Sequence, residues 1–205
     1  LLAHPNIVRV LAVINDAAFQ PIGFIMEHVP IPLDEAMQRM TLRQAVHALA
    51  EAAIGVAAAH DANVVHSDIK PDNVLCSDDF SVIKLADFGL AHAITASMSA
   101  VSGVRGTLLY MAPELHKRPA APSPASDVYA FGMVMYELYA GRQPWEAKLQ
   151  ASGLTPMMVP SWVISGLRPS IPGHVPQPLA DIMRRCWNAD PSQRPALSDI
   201  ISALS

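Results

Sequence analysis

Two short stretches of the sequence carry polar side chains at a spacing that suits phosphoryl-transfer chemistry. Residues 66–73 are His-Ser-Asp-Ile-Lys-Pro-Asp-Asn, and residues 86–89 are Ala-Asp-Phe-Gly. Phosphoryl transfer needs a carboxylate that orients the attacking hydroxyl and oxygen ligands that hold magnesium on the phosphates. The pattern Asp-x-x-x-x-Asn followed by Asp-Phe-Gly supplies both. Taken singly, Asp68, Asn73 and Asp87 would be ordinary turn residues, because Asp and Asn favour turns through their own side-chain hydrogen bonds.

The order and spacing of these stretches, together with Met111-Ala112-Pro113-Glu114, resemble the protein kinase superfamily. The resemblance implies that Asp68 accepts or steers the proton of the substrate hydroxyl, and that Lys70 neutralises charge on the transferring phosphate. It also implies that Asn73 and Asp87 are magnesium ligands, so ATP and Mg²⁺ are the expected cofactors. The expected reaction is transfer of the ATP γ-phosphate to hydroxyl groups of a protein.

Four further residues are expected, by the same resemblance, to contact the nucleotide. Met26-Glu27-His28-Val29 is similar to the gatekeeper and hinge of kinases, where backbone groups of Glu27 and Val29 meet the adenine edge. Leu75 would form the floor under the adenine. Met26, Val29 and Leu75 are also expected to be ordinary core residues, because an apolar purine site is built from core side chains.

Smaller features indicate the class of kinase. Lys70, two places after Asp68, and Thr107 are similar to serine/threonine kinases, and Thr107 would hydrogen-bond Asp68 and Lys70. The stretches Gly166-Leu167-Arg168-Pro169 and Cys186-Trp187 resemble the tyrosine-kinase-like group of those enzymes. Proteins with serine or threonine acceptors are therefore the expected partners. The alternative is a pseudokinase or kinase-like scaffold that binds partners without phosphoryl transfer, although such proteins commonly lose a catalytic or magnesium-binding residue.

One position departs from the family pattern, since Ser67 stands where most kinases carry an arginine beside the catalytic aspartate. In relatives that arginine pairs with a phosphate on the activation loop. A serine has no positive charge with which to hold a phosphate. We therefore expect phosphorylation of this loop to have little power to switch the kinase. The candidate sites in the loop are Thr95, Ser97, Ser99 and Ser102.

Other matches imply structural roles. Glu114 and Arg194 resemble the buried ion pair that ties the end of the activation segment to the helical lobe. By the same resemblance, Asp127 would cap the backbone of the catalytic loop. His66 would be a core histidine whose ring stacks under Phe88.

The hydrophobic pattern predicts a small β portion followed by a mostly helical part, an α+β arrangement that agrees with a kinase-like fold. Predicted strands are 7–14, 22–27, 74–76 and 82–85, and predicted helices are 42–61, 128–138, 179–187 and one from residue 196. Thr41 is a possible cap of the first helix. Helix 128–138 should be buried, with Ser126 or Asp127 as its cap and Gly141 as its stop. The prolines of 144–178 predict an irregular connector.

The resemblance also divides the chain into two parts. Residues 1–28 would be a remnant of the strands of the N-terminal lobe and the start of the hinge, and 29–205 the C-terminal lobe. Because the chain begins at Leu1 and has no lysine before Lys70, we expect an N-terminally truncated domain without the glycine-rich loop, strand lysine and helix glutamate. Those parts hold the phosphates in line, so the isolated chain should be nearly inactive.

Composition excludes several other classes. The 205 residues, 51% hydrophobic and 16% charged, suit one globular domain with a sizeable core. A net charge of −4 with interspersed signs argues against nucleic-acid binding, and no apolar run is long enough to span a bilayer. Cys76 and Cys186 form no CxxC pair, which favours a reduced, cytoplasmic location. His60 and His66 match no paired-ligand spacing, which disfavours a metal-dependent hydrolase.

Overall fold

The computed structural model describes residues 3–88, 108–117, 119 and 121–205. The strands are β1 (Val10–Asn15), β2 (Pro21–Met26), β3 (Ile31–Pro32), β4 (Val74–Cys76) and β5 (Ile83–Leu85). The helices are α1 (Leu33–Ala36), α2 (Leu42–Asp61), α3 (Pro124–Ala140), α4 (Glu146–Ser152), α5 (Val159–Ile164), α6 (Gln177–Cys186) and α7 (Leu197–Leu204). A few short strands and a larger helical part confirm the predicted α+β class.

The strands form two small sheets. β1 and β2 pair antiparallel as a hairpin, whereas β3, β4 and β5 form a separate antiparallel sheet with β4 in the middle. The strand predicted from residue 7 begins only at Val10, because the preceding segment pairs elsewhere. Leu85 donates its N–H to the Asn6 oxygen at 2.8 Å and accepts from the Val8 N–H at 2.9 Å. The segment before β1 is thereby attached to the edge of β5.

Helix α2 has the bounds that its periodicity predicts. The Thr41 hydroxyl accepts a hydrogen bond from the Gln44 N–H at 3.3 Å, and the Gln44 side chain accepts one from the Thr41 N–H at 2.9 Å. This reciprocal pair is a capping box, which satisfies two N–H groups at the start of the helix. At Gly55 an added Cβ would lie 2.6 Å from the Asn6 backbone oxygen. The segment before β1 therefore packs directly on the backbone of α2.

Helix α3 is the buried centre of the helical part, as predicted, but it begins earlier than expected. Its cap is Ser123, not Ser126 or Asp127, because Ser123 and Ser126 form a capping box around Pro124 in the first turn. Proline fits there since its missing N–H would have no partner within the helix. Gly141 ends the helix as predicted, with a φ of 64° that glycine adopts at little cost.

The stretch 144–178 is not the irregular connector that its prolines predict, since it contains α4 and α5. Pro160 lies in the first turn of α5, where proline does not interrupt helical hydrogen bonding. Buried Trp145, Val159 and Val163 pack into the main core and supply the burial that holds these short helices. Tertiary packing therefore decides the structure of a segment whose composition indicates a loop.

Candidate active site

The loop between α2 and β4 carries the first candidate motif, and Asp127 of α3 holds its backbone. One Asp127 carboxylate oxygen accepts the His66 N–H at 2.8 Å, and the other accepts the Ser67 N–H at 2.9 Å. Asp127 is 1% exposed. Hydrogen bonds to a buried carboxylate are stronger than those between neutral groups. The expected capping of this loop by Asp127 is therefore confirmed.

Ser67 has a left-handed backbone, with φ at 73°. Such a conformation costs a residue with a Cβ about 1 to 2 kcal/mol. The hydrogen bond from the Ser67 N–H to Asp127 offsets part of that cost. The strained turn lies directly before Asp68 and so directs the next side chain.

A second contact to Asp127 comes from the end of α2. His60 Nε2 lies 2.9 Å from the Asp127 oxygen that also accepts the His66 N–H. No sequence pattern indicates this contact, because the two residues are 67 positions apart. The sequence pattern indicates only that His60 lies in the last turn of α2, shortly before the motif at residues 66–73.

Asp68, Lys70 and Asn73 come together as one cluster. Asp68 Oδ2 lies 2.7 Å from Lys70 Nζ and accepts a 3.0 Å hydrogen bond from Asn73 Nδ2. Asn73 Nδ2 also donates to the Asp68 backbone oxygen at 2.8 Å. Asp68 and Asn73 are both buried. The carboxylate is thus held by a cation and an amide in one orientation.

The second motif lies beside this cluster, and His66 joins the two. Its Nδ1 accepts the Asp68 N–H at 3.3 Å and its Nε2 donates to the Ala86 oxygen at 2.8 Å, so the geometry fits a neutral ring. Burial lowers the pKa of His66, which also favours the neutral form. The ring centroids of His66 and Phe88 are 4.7 Å apart, which confirms the expected stacking.

Asp87, between Ala86 and Phe88, is exposed and has a left-handed backbone with φ at 61°. The Asn73 amide nitrogen donates hydrogen bonds to Asp68, so the Asn73 amide oxygen is the atom that can coordinate a cation. A carboxylate and an amide oxygen are the hard ligands that Mg²⁺ prefers. The donor atoms of both residues therefore fit a magnesium ion.

The four residues predicted to contact the nucleotide lie on the hairpin, the segment after it and β4. Met26 ends β2, Glu27 follows it, and Leu75 is in the middle strand of the other sheet. Val29 and Leu75 are half-buried, but Met26 is 51% exposed. The expectation that Met26 is a core residue is wrong for the described part of the chain, because no described element covers that side of the hairpin.

The ion pair of Glu114 with Arg194 is present in a bidentate geometry. Arg194 Nη1 and Nη2 donate to the two Glu114 oxygens at 2.6 and 2.7 Å. Arg194 also donates to the Asn188 and Ala125 backbone oxygens, and its guanidinium lies over the Tyr129 ring. The Arg194 side chain is 1% exposed. Five N–H donors in a fixed fork suit this set of acceptors, which a lysine could not satisfy.

Thr107, Gly89 and the four candidate phosphorylation sites lie outside the described residues. Within the described ranges, no helix is long and apolar enough to cross a membrane. Both cysteines are free thiols in the core, and burial raises the pKa of each to about 12. A thiol of that pKa stays protonated and unreactive at neutral pH.

A helical lobe with a small sheet, the cluster of Asp68, Lys70 and Asn73 and the neighbouring Asp87 and Phe88 are the features of a protein kinase domain. Comparison with known families agrees, since the family model described as "Protein kinase domain" matches residues 1–203. The chain belongs to the protein kinase domain family.

Its relatives include serine/threonine kinases from plants and animals. The chain is 36% identical to serine/threonine-protein kinase STY46 of Arabidopsis thaliana over 151 residues, which are 73% of this chain and 25% of that protein. It is 30% identical over 213 residues to the probable serine/threonine-protein kinase SIS8 of Arabidopsis thaliana, with 99% of this chain and 20% of that protein covered. It is 29% identical over 213 residues to human mitogen-activated protein kinase kinase kinase 7, with 98% of this chain and 33% of that protein covered.

The chain thus spans between a fifth and a third of the length of these curated relatives. The resemblance to the superfamily, and within it to serine/threonine kinases of the tyrosine-kinase-like group, is confirmed.

Proposed function

We propose that the protein with this chain transfers the γ-phosphate of ATP to serine and threonine hydroxyls of protein substrates. The observation that carries the proposal is that Oδ2 of the buried Asp68 contacts both Lys70 Nζ and Asn73 Nδ2. A carboxylate fixed in this way is suited to orient an attacking hydroxyl, and catalysis of phosphoryl transfer depends largely on positioning and electrostatics.

In this proposal Asp68 binds the substrate hydroxyl and takes up its proton at the carboxylate, while the hydroxyl oxygen bonds to the γ-phosphorus and the bond from that phosphorus to the leaving ADP breaks. Lys70 lies next to Asp68 and places a positive charge where the transferring phosphate passes. Because Lys70 is tied to the same carboxylate, its charge stays within reach of the attacked atom. The strained backbone of Ser67 and its bond to Asp127 keep the loop in this geometry.

Protein kinases as a family use ATP and Mg²⁺, and the residues here suit both. Asn73 and Asp87 would hold the magnesium ion, which when bound neutralises charge on the phosphates. His66 supports this arrangement by fixing the Ala86 backbone directly before Asp87. Met26, Glu27, Val29 and Leu75 would receive the adenine, through backbone groups of Glu27 and Val29 and the apolar side chain of Leu75.

The division of the chain belongs to the same proposal. Residues 1–28 are assigned to N-terminal-lobe strands and the start of the hinge, and residues 29–205 to the C-terminal lobe. Two buried, protonated thiols suit a reducing cytoplasmic location. A protein substrate is the proposed partner, and the balanced charge of the chain gives no reason to propose a nucleic acid.

The test is the Asp68→Asn variant of the natural protein, assayed for phosphate transfer from radiolabelled ATP to casein. Turnover should fall by about 10² to 10⁴ because asparagine cannot take up the proton. Asp78→Asn, in the exposed turn between β4 and β5, is the matched control and should keep normal turnover. Unchanged transfer in Asp68→Asn would refute the assignment, and a wild-type protein that binds ATP without transfer would indicate the scaffold alternative.

A further inference from the structure

An ion pair connects the hairpin to the three-stranded sheet. Lys84 Nζ of β5 lies 2.8 Å from Glu27 Oε1, and the same oxygen accepts the Arg9 N–H at 2.7 Å. Glu27 donates its own N–H to the Arg9 oxygen at 3.0 Å. One carboxylate oxygen therefore fixes the end of β2 both to the segment before β1 and to β5.

Lys84 is also the strand partner of Leu75. The two residues stand opposite each other in the antiparallel pair of β4 with β5. Residues in such a pair project from the same face of a sheet, with Cβ atoms about 5 Å apart. The Lys84 side chain thus begins beside the proposed adenine floor and ends at the proposed hinge.

The ion pair between Lys84 and Glu27 is partly shielded from solvent. The Lys84 and Glu27 side chains are 15% and 23% exposed. Burial alone would raise the pKa of Glu27, but the hydrogen bonds and charges of Lys84 and Arg9 hold that pKa below its usual value. Glu27 is therefore ionised at neutral pH, and the pair exists as two charges.

A separate polar link supports the same junction from the other side. The Asn6 side-chain nitrogen donates to Glu51 of α2 at 2.6 Å and to the Ile83 backbone oxygen at 3.1 Å. The segment before β1 is thus anchored to α2 through Asn6 and to β5 through the backbone bonds of Leu85 with Asn6 and Val8. The Lys84 contact adds an attachment at Glu27, which belongs to the proposed nucleotide site.

We propose that Lys84 is a positioning residue of the nucleotide site, which holds the hinge at Glu27 at a set distance from the Leu75 strand. This inference rests on the proposed function, since Glu27 and Leu75 are the proposed hinge and floor. A flat purine makes good contact only when surfaces lie about 3.5 to 4 Å from its atoms, and a gap of about 0.5 to 1 Å loses a quarter to a half of each contact. A hinge freed from Lys84 would therefore bind adenine less well.

The proposal makes a specific claim about which part of the nucleotide is affected. Lys84 acts on the adenine end of the nucleotide, so its loss should weaken the binding of adenosine and the binding of ATP by the same factor. Loss of a residue that held the phosphates would weaken the binding of ATP alone. Since the change affects ground state and transition state alike, KM for ATP should rise while kcat stays within about twofold.

The experiment compares Lys84→Met, Lys84→Arg and Glu27→Gln in the natural protein, with adenosine and ATP binding measured by calorimetry and KM and kcat by phosphate transfer. Lys84→Met and Glu27→Gln should each weaken the binding of both ligands by about three- to fivefold, the upper end of the range for a partly exposed ion pair. Lys84→Arg keeps a cation within reach of Glu27 and should restore wild-type binding. Arg43→Met, which removes an exposed cation from α2, is the matched control.

The double variant Lys84→Met with Glu27→Gln should bind adenosine no more weakly than either single variant, because both remove one interaction. Wild-type adenosine affinity in Lys84→Met, or a loss confined to ATP, would overturn the inference. If Lys84→Met does not fold, Glu27→Gln and Lys84→Arg make the same comparison. Absence of adenosine binding by the wild-type protein would instead reject the proposed nucleotide site itself.

Discussion

Tyr110 donates a 2.5 Å hydrogen bond from its hydroxyl to Glu137 Oε2, and both side chains are buried. Tyr110 directly precedes Met111-Ala112-Pro113-Glu114, and Glu137 lies on the buried helix α3. The bond therefore ties the segment that follows the activation loop to the centre of the helical lobe. Burial disfavours the charged carboxylate and raises the pKa of Glu137 to about 7, although the bond from Tyr110 acts in the opposite direction.

We predict that this carboxyl group makes the fold less stable as pH rises from about 5 to 7.5. The ordinary pKa is 4.5 and the folded pKa about 7, so between these values the folded state binds the proton more tightly than the unfolded state. The stabilisation is complete below the ordinary pKa and is lost as pH rises through the folded pKa. Its size should be on the order of 1 to 3 kcal/mol.

Urea unfolding at pH 5 and pH 7.5 tests this, with Glu137→Gln as the comparison. Glutamine keeps the shape and the acceptor for Tyr110 but cannot titrate, so the variant should lose less stability over the same pH change. The charges that face Glu137 from other elements, those of Asp34, Asp72 and Glu146, remain in both proteins. Equal pH dependence in the two proteins would contradict the assignment of this titration to Glu137.

The Arg194 pair with Glu114 should dominate the electrostatic contribution to stability. We predict that Arg194→Ala lowers the free energy of unfolding by about 3 kcal/mol, because Glu114 loses both of its guanidinium hydrogen bonds while its side chain is only 26% exposed. Arg185→Ala is the matched control, since its pair with Asp199 is about half exposed, at 55% and 52%. That variant should cost about 1 kcal/mol or less. Comparable losses in the two variants would show that burial of the pair is not what matters.

Much of the fold could be predicted from local patterns. The bounds of α2 follow from its periodicity and its Thr41 cap, and the burial of α3 follows from a surface that is apolar nearly all round. The early start of α3 was missed because two serines compete to be the cap. Pro124 is favoured in the first turn of a helix, which makes Ser123 the cap. The short helices α4 and α5 were missed because tertiary burial, and not local composition, holds them.

Sequence spacing alone predicted the candidate site only where its residues are close in the chain, and the distant contacts of Asp127 and Glu114 were predicted by the resemblance to kinases instead. Asp68, Lys70 and Asn73 lie in one loop, so their spacing already indicated a cluster. The contacts of Tyr110 with Glu137, Lys84 with Glu27 and His60 with Asp127 join residues 27, 57 and 67 positions apart. No periodicity relates such pairs, because the fold alone decides which side chains meet.

Ser67 sets the expected response of the kinase to phosphorylation of its loop. Its left-handed backbone is already adopted by a residue with a Cβ, so an arginine at this position should be tolerated. The serine hydroxyl lies 3.5 Å from the Val65 oxygen and carries no charge. A phosphate on the loop therefore finds no cation at this position to pair with.

We predict that glutamate substitutions at Thr95, Ser97, Ser99 and Ser102, made one at a time, change phosphate transfer to casein by less than about twofold. In a Ser67→Arg background, at least one of the four should raise transfer several-fold, because the new guanidinium can bind the introduced carboxylate. Ser67→Gln is the control for side-chain length without charge and should show no such gain. A several-fold gain from a glutamate in the wild-type background would mean that another cation of the protein binds the loop, and that Ser67 does not remove this switch.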